Sequence, residues 1–241
     1  GTASNRPYII DSFFYLERGR IMELGSYIDH TKLGFTVTTK QVEKLCEEAR
    51  EYHFASVCVP PCYVPVAKQT LKDCSVAVCT VVGFPHGNQL TDTKVFEAKK
   101  AIEMGADEID MVMNIGALKE QSYDYIIEEL NQVRDACGGH ILKVIIETSV
   151  LSDDEIREAT KLCNLCFIHF VKTCTGFGTR GVLPQDLDII NEEKNEVLEV
   201  KASGGIATYE DAILMIEHGA TRIGTSHGVE IMKGEAESEI I

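Results

Sequence analysis

Four charged residues sit inside segments that are otherwise apolar and β-branched: Asp110 in EIDMVMN, Lys143 in LKVIIET, Lys172 in FVKTC and Lys201 in LEVKAS. A buried ammonium is unfavourable unless it loses its proton or meets a counter-charge, so lysines in such segments need a reason to be there. The intervals between the four are 33, 29 and 29 residues, each close to one strand-plus-helix unit, which assigns them comparable places on successive strands. Adjacent strands lie about 4.8 Å apart, so inward side chains one unit apart can approach one another. Lys172 and Lys201 are the informative pair. A cation beside an amine favours the neutral amine, which is the form that attacks a carbonyl. Asp110 fits either a counter-ion for Lys201 or a proton-transfer group. Spacing does not choose which lysine is the nucleophile, and pairing with strand-end carboxylates such as Glu147 or Glu199 is the structural alternative.

A second chemistry is written after the last three apolar segments, where glycine and small hydroxyl residues cluster: Thr175-Gly176, Ser203-Gly204-Gly205 and Gly224-Thr225-Ser226. Glycine lets backbone N–H groups approach an anion closely, and the hydroxyls add donors. Barrels commonly bind phosphate with the loops after strands seven and eight. Gly176-Phe-Gly178-Thr-Arg-Gly181 matches the dinucleotide fingerprint GxGxxG but fails on context. It falls in the sixth unit, and Pro184 interrupts the place where a helix should run on.

The elements that must carry these groups follow from periodicity. Expected strands are Ser26–Asp29, Ser56–Val59, Val76–Gly83, Glu108–Asn114, Leu142–Thr148, Phe167–Thr173, Leu198–Ser203 and Arg222–Ser226. Amphipathic patterns at Thr39–Tyr52, Asp92–Met104, Tyr123–Ala136, Ser152–Leu162, Asp186–Glu193 and Tyr209–His218 lie between them. Ser152-Asp-Asp-Glu155 reads as a capping box, and Gly105 and Gly219 as glycines just past helix ends. The strands are nearly continuous apolar runs, as expected when both faces are buried. The α/β reading is therefore one closed TIM (β/α)8 barrel spanning 1–241 as a single domain, with residues 1–7 as a tail. The stretch before Ser26, with Phe13, Phe14 and Tyr15, is expected to form an extra N-terminal helix closing the barrel bottom.

Composition narrows the partners. The 241 residues hold 23 Lys+Arg against 38 Asp+Glu, a net charge of −15, which argues against nucleic acid and anionic membranes as partners, since both need a basic surface. No run of about 18 apolar residues marks a membrane span. The first residues, GTASNRP, have neither basic nor apolar signal-peptide character and read as a processed or appended end. Nine cysteines without a secretory signal suggest free thiols in the cytoplasm. Cys163-Asn-Leu-Cys166 is a lone CxxC without the partners a zinc site needs.

With these positions fixed, the chain resembles the deoxyribose-phosphate aldolases over nearly its whole length. The resemblance runs through IDHTKL (28–33), VCVPPCYVP (57–65), GFPHG (83–87), GADEIDMV (105–112), LKVIIET (142–148), FVKTCTGFG (170–178), VKASGGIAT (200–208) and RIGTSHGV (222–229). It implies a class I aldolase that reversibly cleaves 2-deoxy-D-ribose 5-phosphate to D-glyceraldehyde 3-phosphate and acetaldehyde, with no metal or other cofactor. Matched by motif, Lys172 is the Schiff-base lysine, Lys201 the lysine that perturbs it, and Asp110 the catalytic aspartate. Lys143 and Asp29 support that group. Cys58 is expected at a strand end facing the mouth, where a reactive or a buried inert thiol are the two readings. Thr175, Gly176, Gly204, Gly205, Gly224 and Ser226 match the phosphate-binding loops. His30, His86 and His227 are expected to make structural hydrogen bonds.

The sequence departs from the family pattern in places. Cys174 replaces a serine after Lys172, Pro60-Pro61-Cys62 is an unusual second loop, and the last tyrosine is Tyr209 where some members end in one. Expected partners are small phosphosugar and aldehyde substrates and a second copy of the chain in a homodimer. A sugar-phosphate isomerase, a different Schiff-base aldolase or a non-catalytic phosphosugar-binding barrel are the alternatives.

Overall fold

Eight short strands close on one another in a parallel ring: β1 (Ile28–Thr31), β2 (Ser56–Val59), β3 (Ala77–Val82), β4 (Glu108–Val112), β5 (Ile141–Ile145), β6 (Phe170–Lys172), β7 (Glu199–Ser203) and β8 (Arg222–Thr225). The ring is seen in a computed structural model that describes residues 15–17 and 20–238. The last strand pairs with the first, Ile223 opposite Ile28, and no barrel edge is left unpaired. Every residue of β2 and β4 is buried, which is why these segments read as apolar runs and why the charged members among them are conspicuous.

Helices cover the outside: α1 (Thr39–Glu51), α2 (Val64–Thr70), α3 (Thr91–Glu103), α4 (Ile115–Lys119), α5 (Tyr123–Ala136), α6 (Asp153–Leu165), α7 (Pro184–Glu193), α8 (Tyr209–Glu217) and α9 (Gly228–Ser238). α1 turns Val42, Leu45, Cys46 and Ala49 inward, the stripe its periodicity predicts. At the start of α6 the Glu155 N–H donates to Ser152 Oγ while Ser152 N–H donates to Glu155 Oε2, so the expected capping box forms and satisfies two orphan donors. Gly105 and Gly219 both take positive φ after their helices. The Gly-rich run after β6 is a loop that reaches Leu183, and α7 begins only at Pro184. Gly181 therefore opens no helix, in keeping with the failed dinucleotide fingerprint.

The register refines the placement of the four charged strand residues. Asp110 lies opposite Lys143, and Lys172 lies opposite Lys201. Between β5 and β6, however, Lys172 is opposite Ile145. The stagger of the barrel thus raises Lys172 two residues above Lys143, toward the C-terminal mouth, and the four form two in-register pairs rather than one level ring.

One expectation is corrected. Where a closing N-terminal helix was expected, Tyr15–Glu17 and Arg20–Met22 pair as an antiparallel two-stranded ribbon, followed by a single 3₁₀ turn at Leu24–Tyr27. An apolar, aromatic-rich stretch is ambiguous between helix and strand, and the β-forming Tyr15 and Ile21 sit in strand positions here. Phe13, Phe14 and the expected tail at 1–7 lie outside the described residues.

Outside the barrel centre, one buried ion pair fixes a loop to the frame. Lys94 Nζ on α3 donates to Glu129 Oε1 on α5 at 2.7 Å, to Gly87 O at 2.6 Å and to Val112 O at 2.9 Å. Both side chains are completely buried. Burial pushes the Lys94 ammonium down and the Glu129 carboxyl up, and each depends on the other to remain charged. The 83–87 loop is thereby tied to the end of β4 and to α5.

Candidate active site

Inside the barrel, Asp110 lies among the amino groups of three lysines. Lys172 Nζ and Lys201 Nζ each lie 2.8 Å from its Oδ2, and Lys143 Nζ lies 2.9 Å from its Oδ1. The Cys79 thiol donates to Oδ1 as well, at 3.1 Å. Burial alone would raise the pKa of Asp110, but the three cations outweigh it and hold the carboxyl well below the ordinary carboxylate range.

Two of the three lysines have a second carboxylate. Lys201 Nζ is 2.6 Å from Asp29 Oδ2, and Lys143 Nζ is 2.5 Å from Glu108 Oε2. Burial works against both charges, yet the surrounding carboxylates prevail and raise Lys143 and Lys201 above the usual lysine range. Arg222 closes the base of the network, with Nη2 2.7 Å from both Asp29 Oδ1 and Glu108 Oε2. Ser56 Oγ adds a 2.6 Å bond to Asp29 Oδ1. Asp29 is accordingly held below its ordinary value against burial, by Lys201 first and then Arg222 and Lys143.

Lys172 differs from its neighbours in two respects. Its only carboxylate partner among the described residues is Asp110, and it alone of the three lines the cleft above. That cleft, ≈310 Å³, opens at the C-terminal end of the strands, the end at which barrels of this kind place their reactive groups. All six expected phosphate-loop residues line it, together with Ser203, Lys32 and His227. Gly204 and Gly205 both take positive φ, at 95° and 80°, a turn in which successive N–H groups can converge on an anion. On the other side Phe177 packs edge-on against Phe35 and Phe84, giving the cleft one apolar wall.

The expected set Lys172, Asp110 and Lys201 is thus brought together, with Lys143 and Asp29 beneath it. Cys58 is not at the mouth. It is completely buried beside Cys79 under Leu33 and Phe84, and its contact with Cys79 draws its thiol below the ordinary value against burial. Cys58, Cys79 and Asp110 form a set of ligand-type atoms within 4.8 Å of one another. The three ammonium groups on Asp110 oppose a further cation there. Cys163 and Cys166 are free and buried. Cys174 is buried 3.2 Å from Thr148 Oγ1, so the thiol has a hydrogen-bonding partner.

Glu147 does not pair with a lysine. Its Oε2 accepts from Thr175 N and Oγ1. His30 Nε2 contacts Glu48 Oε2 at 2.8 Å, the structural role expected of it, whereas His86 is exposed. Sequence reasoning missed Glu108 and Arg222, because charges at the first position of a strand are ordinary. It also missed Lys32, which lines the cleft but lies just past a strand end, where a lysine is ordinary.

Comparison with known proteins agrees with this geometry. Residues 24–234 match the model of the DeoC/LacD family aldolases. A deoxyribose-phosphate aldolase of Finegoldia magna is 51% identical over 213 residues, covering 88% of this chain and 100% of that relative. The crystal structure of a putative deoxyribose-phosphate aldolase from Coccidioides immitis superposes with TM-score 0.86 at 40% identity, over 97% of this chain and 92% of that one. A tetrameric deoxyribose phosphate aldolase from Aeropyrum pernix gives TM-score 0.82 at 28% identity, over 90% and 92% of the two chains. A closed barrel, a lysine over a charge-balanced carboxylate and these matches lead to one conclusion: the chain belongs to the DeoC/LacD aldolase family.

Proposed function

We propose that the protein is a class I aldolase that reversibly cleaves 2-deoxy-D-ribose 5-phosphate to D-glyceraldehyde 3-phosphate and acetaldehyde, with Lys172 as the Schiff-base nucleophile. The observation that carries the assignment is the asymmetry among the three lysines on Asp110. Lys143 and Lys201 are each fixed as ammonium by a second carboxylate, while Lys172 holds only Asp110 and borders the cleft.

The chemistry follows from that placement. The Lys172 amine adds to the C1 aldehyde, and loss of water from the carbinolamine gives an iminium. The iminium draws in the electron pair of the C2–C3 bond as the C3 hydroxyl loses its proton, releasing glyceraldehyde 3-phosphate and leaving an enamine. Protonation of the enamine carbon and hydrolysis then free acetaldehyde and regenerate the amine. Asp110 is the carboxylate within reach of these protons. Its low pKa rests on three cations, so the departure of Lys172 Nζ toward substrate removes one of them and raises the proton affinity of Asp110 at the step that needs it.

The Gly204–Gly205 turn, Thr175, Gly176, Gly224 and Ser226 are assigned to the 5-phosphate, with Lys32, just past β1 and beside the end of β8, as the cation. The same proposal takes the protein to be a single-domain cytoplasmic homo-oligomer, with a dimer favoured. Nine free cysteines support a reducing compartment, and among the described residues no helix is long and apolar enough to cross a membrane.

The test is product release from 2-deoxyribose 5-phosphate by the wild type and by Lys172→Arg, which keeps the charge but removes a usable amine. Acetaldehyde is expected from the first and none from the second. Conversion of the sugar phosphate to an isomer without acetaldehyde would replace the aldolase reading with an isomerase.

A further inference from the structure

The loop between β6 and α7, residues 173–183, is the longest element at the mouth without regular structure, yet it must present the Thr175–Gly176 part of the cleft with fixed geometry. Its two ends are anchored on Ser203 and Gly204 at the end of β7, and its middle is held from the segment after β5. Glu147, immediately after β5, takes a left-handed backbone (φ 52°, ψ 66°), a conformation that a glutamate keeps only when its surroundings impose it. Its side chain is almost fully buried and points at the loop. Oε2 accepts from Thr175 N at 3.1 Å and from Thr175 Oγ1 at 2.5 Å, while Oε1 accepts from Ser149 Oγ at 2.7 Å. Thr175 Oγ1 in turn accepts from Phe177 N at 3.0 Å. Of the three consecutive amides at 175–177, the first and third are thereby committed within the protein, and that of Gly176, a cleft-lining residue, has no acceptor among the described residues.

The neighbouring residues act in the same sense. Thr179 Oγ1 donates to Ser149 O at 3.1 Å, and Arg180 Nη2 donates to Thr148 O at 3.1 Å. Gly178 lies so close that a Cβ there would overlap Ser149 Oγ and Glu147 Oε1. A carboxylate at the edge of a phosphate site repels the ligand, so its presence needs a compensating role.

We infer that Glu147 is a positioning residue that sets the 175–177 loop for the substrate phosphate, acting through Thr175 and not on the reacting carbons. This rests on the phosphate reading above. The prediction is a defect that depends on the phosphate. In Glu147→Ala, KM for 2-deoxyribose 5-phosphate rises on the order of tenfold, the scale of one lost hydrogen-bonded anchor, while kcat/KM for unphosphorylated 2-deoxyribose stays within about twofold of wild type. Glu147→Gln keeps an oxygen for Thr175 and an amide that can donate to Ser149 Oγ, and it restores most of the affinity. Gly178→Ala reaches the same contact from the loop side and gives the same phosphate-specific rise, so the test stays readable if Glu147→Ala does not fold. Equal losses on both sugars, or an unchanged KM for the phosphorylated one, would overturn the inference. Wild-type protein that treats the two sugars alike would instead remove the phosphate reading itself, and the inference with it.

Discussion

Lys172 and Lys201 share one oxygen: each places its Nζ 2.8 Å from Asp110 Oδ2, from adjacent strands and in register. Two ammonium groups on one oxygen repel each other, and Lys201 is the one held in place, by Asp29 at 2.6 Å. Of the pair, Lys172 is the one with a single carboxylate partner among the described residues and the one that borders the cleft.

Replacing Lys201 with Met removes that fixed cation while keeping most of the side-chain volume. Asp110 and Asp29 then share fewer counter-charges, and the rate of adduct formation between Lys172 and acetaldehyde falls by about tenfold or more. Rapid-mixing measurement of adduct formation in wild type and variant checks this, and equal rates would deny Lys201 its role.

Asp110→Asn keeps the shape but removes the negative charge that three lysines share. Loss of a positioned proton-transfer group lowers rates by on the order of 10²–10⁴-fold. We expect kcat for cleavage to fall within that range, with KM for the phosphorylated sugar little changed, because the phosphate loops do not touch Asp110. A kcat within about threefold of wild type would remove Asp110 from the mechanism.

The Lys94–Glu129 pair predicts a defect in stability without one in chemistry. Lys94→Met leaves a fully buried carboxylate without its cation, a change that destabilises by about 3–5 kcal/mol. Urea denaturation should show the loss, and Lys94→Met/Glu129→Leu should recover most of it. Activity per folded molecule should remain near wild type.

Acid sensitivity follows from Asp29 and Asp110, both held below the ordinary aspartate value of 3.8 by neighbouring cations. A carboxyl whose folded pKa is depressed contributes stability that is fully present above its unfolded pKa and is lost as pH falls through the folded one. The loss therefore begins below about pH 4. Asp29→Asn should be less stable than wild type at pH 7 and lose less on acidification. Parallel stability curves for the two proteins between pH 5 and pH 2.5, a window of roughly the expected titration, would contradict the coupling.

Much of this was legible in the chain, and the gaps have physical causes. Asp110, Lys143, Lys172 and Lys201 stood out because each breaks an apolar strand. Their separations conveyed adjacency but not the stagger that lifts Lys172 above Lys143. The choice of nucleophile needed the second carboxylates Glu108 and Asp29, whose contacts span 35 and 172 residues and leave no local pattern. The strand expected to reach Thr148 stops at Ile145, and Glu147 beyond it is left-handed with its carboxylate on Thr175, a contact across 28 residues that the apolar run does not reveal. Cys58 sits at the same strand end that was expected, but Leu33 and Phe84 cover it. The paired strands Tyr15–Glu17 and Arg20–Met22 read as helix in the sequence because composition alone cannot separate the two periods in so short a segment.

Everything proposed for the reaction turns on Lys172 as the amine that forms the Schiff base. Incubating the protein with acetaldehyde, reducing with borohydride and mapping peptides by mass tests it directly. A two-carbon adduct on Lys172 is expected, with Lys143 and Lys201 unmodified. An adduct on Lys201, or none on Lys172 under conditions of turnover, would contradict it.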